Sequence, residues 1–302
     1  MKRLSKLMMV CFMAAVMMLP VSCKQDDIAP VFIPKGVLPG LFSVSATKQV
    51  HFSQGNLQYQ ASTDTWRFAE HQWDHVGTQT PDEDGYYGGT VEGSDNRHIS
   101  STYNGWIDLF GWGTSGWNNG AVCYQPWSTG FWERDYSNNV MTGAYVESDW
   151  AWHNAISNGG NAAHHWRTPT AVEWQYLIAG RTDALSKRGT GNINGVGGLI
   201  ILPDNWTLPL GCQFTSGEAS DSTDWTLNSY TLAQWEKMEA AGAVFLPAAG
   251  YRVDSLFVDY VGCRGYYWLS DTDFNFRSDR IPGYWWYTRY FGCSVRPVLD
   301  EE

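Results

Sequence analysis

Charge is scarce in this 302-residue chain, and basic charge most of all: Asp, Glu, Lys and Arg make up 17%, with 20 Lys+Arg against 31 Asp+Glu. Lys2, Arg3 and Lys6 lie in the first 22 positions, where no acidic residue stands, so residues 23–302 hold 17 basic and 31 acidic side chains, a net charge of −14. A field of that sign repels phosphate backbones and excludes nucleic acid as a natural partner. Cysteine is also sparse. Beyond Cys11 and Cys23 there are only Cys123, Cys212, Cys263 and Cys293, with no Cys-x-x-Cys or Cys/His spacing of a zinc site. In an oxidising compartment these four allow three pairings, and the sequence selects none. No Gly-x-Ser-x-Gly elbow is present, so hydrolysis has no support. No period of 20 to 50 residues recurs, which excludes a solenoid or propeller.

Aromatic residues and glycine are plentiful, with 17 Trp, 16 Tyr, 13 Phe and 31 Gly. Such a chain can bury a large core and still present Trp and Tyr, the usual material of contact surfaces. The start of the chain has a different character. Lys2, Arg3 and Lys6 precede an apolar run over 7–21 that is shorter than the about 20 residues of a membrane span and stops at Ser22-Cys23. This is a secretory signal of lipoprotein type, with cleavage before Cys23 and a palmitate-type acyl anchor on its thiol. Pro20 stands where such signals usually carry an aliphatic residue, with Leu19 one position further back. Lys24-Gln25-Asp26-Asp27 is similar to the short acidic stretch that sends some lipoproteins to the outer face of the outer membrane. The expected layout is a signal peptide at 1–22, a lipid-anchored spacer at 23–40 with Pro30, Pro34 and Pro39, and one ectodomain at 41–302.

Within the ectodomain, 42–45 and 50–53 alternate apolar and polar residues like half-buried strands, and 56–60 with 66–68 read as a hairpin. Residues 78–102 are loop-like, and 105–132 is crowded with Trp and Gly without a period, which predicts a long structured loop covering one side of a sheet. Three helices are marked by their ends. Ser148-Asp149 can cap a helix to about 157, closed by Gly159 and Gly160. Thr170 with Glu173, and Thr231 with Gln234, are capping boxes, the second helix stopping at Gly242. Strand-like runs follow at 198–202, 243–246, 266–269 and 294–298. Few helices, many short strands and long loops make the class α+β.

The run Trp166-Arg167-Thr168-Pro169-Thr170-Ala171-Val172-Glu173-Trp174-Gln175-Tyr176 resembles the Arg-Leu-Pro-Thr-x-x-Glu-Trp-Glu-Tyr signature of the formylglycine-generating enzyme (sulfatase-modifying factor) branch of the C-type lectin-like fold. Gly265-Tyr266-Tyr267-Trp268 and the ending Gly292-Cys293-Ser294-Val295-Arg296-Pro297-Val298 are similar to that fold's last strands. The resemblance spans about the last 135 residues and implies short antiparallel strands, two to three helices and long loops. Its oxidase members use two close cysteines to bind copper. Here only Cys263 and Cys293 lie in the region, so a disulfide or buried thiol is the expected role.

A local absence marks the C-terminal segment. Residues 240–300 contain no Lys, Met, Gln or Glu, whereas 24–239 contain 27 of them in 216 residues, a rate at which 61 residues would hold seven or eight. These four types cannot be written by N-N-C codons, the product of adenine randomisation in diversity-generating retroelements. The segment 268–298 resembles the variable end of retroelement target proteins, and equally the fixed members of related paralogous bacterial surface lipoproteins. Trp285 and Trp286 would then be template positions. Both readings expect a contact patch built from Asp271, Asp273, Asn275, Arg277, Asp279, Arg280, Tyr284, Trp285, Trp286, Tyr287, Arg289 and Tyr290, because Tyr, Trp and Arg give large contact area at low entropic cost. Alternation along a strand turns about half of such a list inward.

The remaining candidates are weaker in kind. Asp82-Glu83-Asp84-Gly85 and Glu92-Gly93-Ser94-Asp95-Asn96 are oxygen-rich loops that could hold calcium, though neither has EF-hand spacing. His164-His165, at a helix entrance, read as structural. The expectation is therefore a non-enzymatic, surface-displayed lipoprotein without a resident cofactor, binding a protein or glycan ligand. A formylglycine-generating-type oxidase and a structural component of a surface complex are the alternatives. Metabolic labelling of expressing cells with an alkynyl palmitate should tag the chain, and Cys23→Ser should abolish the tag and release the protein from the membrane fraction; a tag that survives the substitution would place the anchor elsewhere.

Overall fold

A computed structural model describes residues 35–77, 99–118, 120–129, 140–253, 257–283, 289 and 291–301, all within one unit of the chain, 33–302. The chain enters through β1 (Phe42–Ser43) and β2 (Gln49–Phe52), followed by the hairpin of β3 (Leu57–Gln60) and β4 (Thr65–Phe68). After the aromatic loops come α1 (Trp150–His153) and α2 (Ala171–Gln175), the latter running on as a π turn over Tyr176–Gly180. Strands β5 (Arg188–Ile193), β6 (Val196–Ile201), β7 (Ser229–Tyr230) and β8 (Val244–Pro247) form a sheet in the order β7-β5-β6-β8, with α3 (Leu232–Ala240) between β7 and β8. A second sheet orders β10 (Phe257–Val261), β9 (Ala249–Val253), β11 (Arg264–Trp268), β12 (Asp273–Arg277) and β13 (Arg280–Gly283), with β14 (Phe291–Gly292) on β9. The last strand, β15 (Val298–Asp300), returns to pair antiparallel with β2. The class is α+β with mostly antiparallel pairing, and no helix among the described residues is long and apolar enough to cross a membrane.

Period-two alternation divides the described interior into three large apolar clusters separated by the two sheets, beside a small fourth of Leu109, Val258 and Val261. On β11, Tyr266 and Trp268 enter a first cluster with Tyr59, Trp66, Phe110, Trp150 and Trp166, while Tyr267 enters a second with Phe42, Phe52, Trp174, Phe274 and Phe276. On β6, Leu199 and Ile201 face that second cluster from the opposite side, while Ile200 faces a third with Trp235, Met238 and Phe245. Strands buried on both faces are near-continuously apolar, which is why β6 and β8 are legible as strands but not as to face.

The helix ends follow their sequence signals. Thr170 accepts from Glu173 N at 3.2 Å and Glu173 returns to Thr170 N at 2.9 Å; Thr231 and Gln234 repeat the box. Gly242 (φ +95°) ends α3, with Ala243 N donating to Met238 O, a left-handed closure that a side chain would strain. The helix predicted over 148–157 is shorter, because Asp149 caps at Ala151 N while its second oxygen takes Thr168 N at 2.7 Å. That carboxylate ties the helix to the 166–168 segment and limits it to one turn. Residues 294–297, predicted as part of a strand, form none. Each instead bonds a different segment, and Pro297 has no N–H for a ladder.

That closing segment holds the domain together. Cys293 pairs with Phe110, Ser294 N donates to Tyr266 O, Leu57 N donates to Val295 O, Ser53 N donates to Pro297 O, and Val298 pairs with Arg167. Arg296, 2% exposed, donates Nη2 to Gln72 Oε1 at 2.7 Å and Nη1 to Asn56 Oδ1 at 3.3 Å. Burial pushes its guanidinium down to about 10. Gln72 in turn donates to Glu239 Oε2 and Ala243 O and accepts from Phe245 N. On the surface side, Arg167 clamps Glu173 with both nitrogens at 2.7 and 2.8 Å and reaches Asp300 at 2.6 Å, joining α2 to β15. Removal of a buried donor costs the desolvation of the groups it leaves behind together with the cavity. Arg296→Ala should therefore lower unfolding stability by about 3–5 kcal/mol, and Arg296→Met, which keeps the stem, by less; equal urea midpoints for Arg296→Ala and the parent would refute the role.

Candidate binding face on the C-terminal sheet

The expected contact patch falls on β12, β13 and their neighbours. In the β11–β12 ladder Trp268 opposes Asp273, Tyr267 opposes Phe274, Tyr266 opposes Asn275 and Gly265 opposes Phe276. Opposed residues share a face, so Phe274 and Phe276 go with Tyr267 into the second cluster, where Phe274 lies 4.8 Å from Trp174. Asp273 and Asn275 go with Trp268 and Tyr266 on the other face. That face is also covered: Trp112 packs edge-on against Trp268 at 5.0 Å, Trp268 Nε1 donates to Phe110 O at 2.6 Å, and Tyr251 packs against Tyr266 at 5.0 Å and Phe291 at 4.4 Å. Asp273 and Asn275, expected as contact residues, are consequently interior at 3% and 6% exposure. Asn275 Nδ2 has no hydrogen-bond partner among the described residues.

What remains accessible is the rim. Arg280 is exposed, and Arg277 and Asp279 form an ion pair at 2.5 Å across the β12–β13 turn. The turn is pinned from beneath: Ser278 Oγ donates to Asp221 O at 2.7 Å, and Ser278 O accepts from Thr190 Oγ1 at 2.9 Å and Ala219 N at 2.8 Å. Asp271 has a structural task as well, accepting from Ala171 N at 2.8 Å in the first turn of α2. Arg289 lies with its guanidinium 4.3 Å from the centre of the Trp112 ring. Burial lowers its pKa, and the nearby Asp271 partly offsets this. Tyr284, Trp285, Trp286, Tyr287 and Tyr290, the acidic loops at 82–85 and 92–96, and Cys23 lie outside the described residues.

The far end of the rim escaped sequence reasoning. Arg264 sits 4.4 Å over the Tyr260 ring with Nη1 3.4 Å from Tyr266 Oη, and opposes Arg277 across the ladder. Like charges directly opposed are unfavourable; Asp279 beside Arg277 and Asp259 near Arg264 offset them. Burial pushes the Asp259 carboxyl up, while bonds from Tyr260 N and Tyr251 Oη and the charge of Arg264 pull it back. Tyr260 holds φ +57°, a conformation costly for a bulky residue. Gly250 makes the adjacent crossing, where a Cβ would lie 2.0 Å from Asp259 O. The one available signal was the alternation Arg264-Gly265-Tyr266, which places Arg264 and Tyr266 on one face.

The other candidates separate. Cys263, in the β10–β11 turn, is a half-buried thiol whose pKa burial raises, the reverse of an activated thiolate. Cys293 is buried in the first cluster. Its neighbour Ser294 pairs with Tyr267, four residues along β11 from Cys263, a run of about 13 Å at ~3.3 Å per residue. His164 Nε2 reaches Glu147 at 3.2 Å and its ring stacks on Trp152. Among the described residues no three His, Cys, Asp or Glu side chains gather to hold a metal. No family model matches the chain, and neither the curated proteins nor the solved structures searched contain a match.

The two faces of β12 should respond differently to truncation. Phe276→Ala should cost about 3–5 kcal/mol as a core cavity, whereas Arg277→Ala, losing one partly exposed ion pair, should stay within about 1 kcal/mol. Urea unfolding of both variants checks this, and comparable losses would mean the rim is structural.

Proposed function

We propose that this chain is a lipid-anchored recognition protein of the bacterial outer surface, tethered through Cys23, whose C-type lectin-like domain binds a protein or glycan ligand along the rim of the C-terminal sheet. The observation that carries this reading is the division of labour on neighbouring strands: Phe274 and Phe276 are committed to the core, while Arg264, Arg277, Arg280 and Arg289 stand at the edge, two of them stacked on Tyr260 and Trp112. Guanidinium groups over aromatic rings are typical anchors of contact surfaces. The capping box at Thr170, the strand at Arg264–Trp268 and the closing run 292–298 fall where the lectin-like resemblance needs a helix start and last strands, which supports that fold. Calcium at the acidic loops would be an accessory to this role, not its agent.

The same rim suits the diversified target of a retroelement, since substitutions there disturb little packing. The copper-oxidase alternative has less support. Cys263 lies in the β10–β11 turn with its thiol pKa raised by burial, and Cys293 is buried in the first cluster beside Phe110, which does not favour the pair as copper ligands.

Population sequencing of the locus tests the reading. Changes are expected to concentrate in codons 268–291 at adenine-templated positions, to fall on Arg277, Asp279, Arg280 and Arg289, and to spare Phe274 and Phe276. Variation spread evenly over the gene would remove diversification and leave a fixed ligand, and copper-dependent oxygen consumption by the purified protein would replace the binding reading with the oxidase.

A further inference from the structure

A cleft of about 470 Å³ lies in the N-terminal half of the domain, where the β3–β4 hairpin, the aromatic loop and the end of α1 converge. Its size lies within the about 300–1,000 Å³ of small-molecule sites. Trp127 lines it, stacked on Tyr59 at 6.1 Å with 22° between the rings, and Tyr59 packs on Trp66 at 4.6 Å. Tyr59 and Trp66 are buried at 1% and 5%, so the half-buried Trp127 rests on a fixed aromatic base.

The polar groups around that ring are mainly acceptors. Asp64 takes the Tyr59 hydroxyl on Oδ1 at 3.0 Å, which leaves Oδ2 without a partner among the described residues. Asn154 spends both Nδ2 hydrogens on Ser115 O and Trp150 O at 2.9 Å, leaving its carbonyl oxygen. His153 Nδ1 is held by Glu147 at 2.7 Å, so Nε2 is the second ring nitrogen available, an acceptor in the neutral ring. Gln125 makes no side-chain hydrogen bond among the described residues. Among the described residues no Lys or Arg lines the cleft. An acceptor-rich wall without cations disfavours phosphate and carboxylate ligands and calls for one that brings many hydroxyl donors. The rings pack on one another in a continuous platform and do not stand apart around a space, as a cage for a quaternary ammonium would require. An aromatic platform bordered by acceptors matches the two sides of a pyranose, whose C–H face carries partial positive charge toward the negative ring face while its hydroxyls donate outward.

We infer that this cleft is a second ligand site, taking one or two rings of a neutral saccharide, with Trp127 as the stacking platform and Asp64, Asn154, His153 and Gln125 as hydroxyl partners. It is separate from the C-terminal rim, so an ectodomain could hold a sugar and a second ligand at once. The test uses the mature lipidated protein in a zwitterionic detergent, probed by saturation-transfer NMR with maltotriose, cellotriose and mannotriose, and with tetramethylammonium and inorganic phosphate as the competing classes. At least one trisaccharide should bind at millimolar concentration or below, with affinity falling about tenfold or more in Trp127→Ala and measurably in Gln125→Ala, whose side chain makes no hydrogen bond among the described residues. Lys237→Ala, on α3 and outside both sets of site residues, should leave sugar binding unchanged, and sugar binding lost in Arg280→Ala but kept in Gln125→Ala would assign the sugar to the rim and overturn this second site. If Trp127→Ala fails to fold, Gln125→Ala and Asp64→Asn carry the test. Absence of binding by all three sugars, binding indifferent to these substitutions, or tetramethylammonium or phosphate binding in their place would each overturn the assignment.

Discussion

The structure depends on a cation that meets no carboxylate among the described residues. Arg296 is enclosed at the point where the closing segment crosses the interior, and its hydrogen bonds go to two neutral amides, Asn56 and Gln72. Taking a guanidinium out of water is expensive, and polar acceptors must be fixed in place to offset that cost. Gln72 meets this condition because all its valences are engaged, with Glu239, Ala243 and Phe245 on its other sides. Asn56 is held by the Tyr267 hydroxyl, which itself donates to Pro247 O. A single buried charge therefore sets the relative position of the first hairpin, α3, β8 and β11, four elements distant in sequence. The residues on either side of Arg296 complete the seam by bonding Phe110, Leu57, Ser53 and Arg167 in turn. Few residues of the closing run are replaceable under that constraint.

With the seam in place, the layering of three clusters and two sheets follows from alternation alone, and it decides where a ligand can be met. Both faces of the C-terminal sheet are occupied, one by Trp174 and Trp225, the other by Trp112 and Phe110. The surface proposed for recognition therefore lies at the edges and not on the broad face: the Arg277–Arg280 turn, Arg289 on Trp112, and Arg264 on Tyr260. The sparse charge of the chain sharpens the contrast. In a chain of negative net charge, each of these edges carries an arginine beside an acidic partner, Asp279 at Arg277, Asp259 at Arg264 and Asp271 at Arg289.

Sequence patterns reached the elements whose signals are local. The first four strands and both capping boxes, at Thr170 and Thr231, could be read because alternation and end-capping act over a few residues. The strands β5, β9, β10 and β12 escaped: Gly189, Gly191 and Gly250 interrupt any apolar period, and Asp273 and Asn275 imitate a loop. The inward placement of Asp273 and Asn275 is likewise a non-local fact. Alternation says only that they oppose Phe274 and Phe276, and both sides of that strand are polar or apolar in appearance without a label for outside. Whether the second face is open depends on Trp112 and Phe110, more than 150 positions earlier, returning to cover it. Arg277, Asp279, Arg280 and Arg289 kept the partial exposure expected of contact residues because they lie past the covered stretch.

This arrangement also explains how a surface could vary without loss of the fold. The β12–β13 turn is held through its own main-chain carbonyls: Thr190 Oγ1 and Ala219 N both donate to Ser278 O, and Arg188 Nη1 donates to Ile281 O at 2.9 Å. Anchors that grip backbone are indifferent to the identity of neighbouring side chains, so the turn keeps its shape when Arg277, Asp279 or Arg280 changes. The cost of such changes is then limited to one partly exposed ion pair, Arg277–Asp279, worth about 1 kcal/mol, against a domain stability of about 5–15 kcal/mol. Phe274 and Phe276, one residue away, have no such latitude because their rings fill the second cluster. A scaffold built this way separates the residues that specify the fold from those that meet a partner at single-residue resolution along one strand, which is the physical requirement for a diversified binding surface of the kind proposed for this protein.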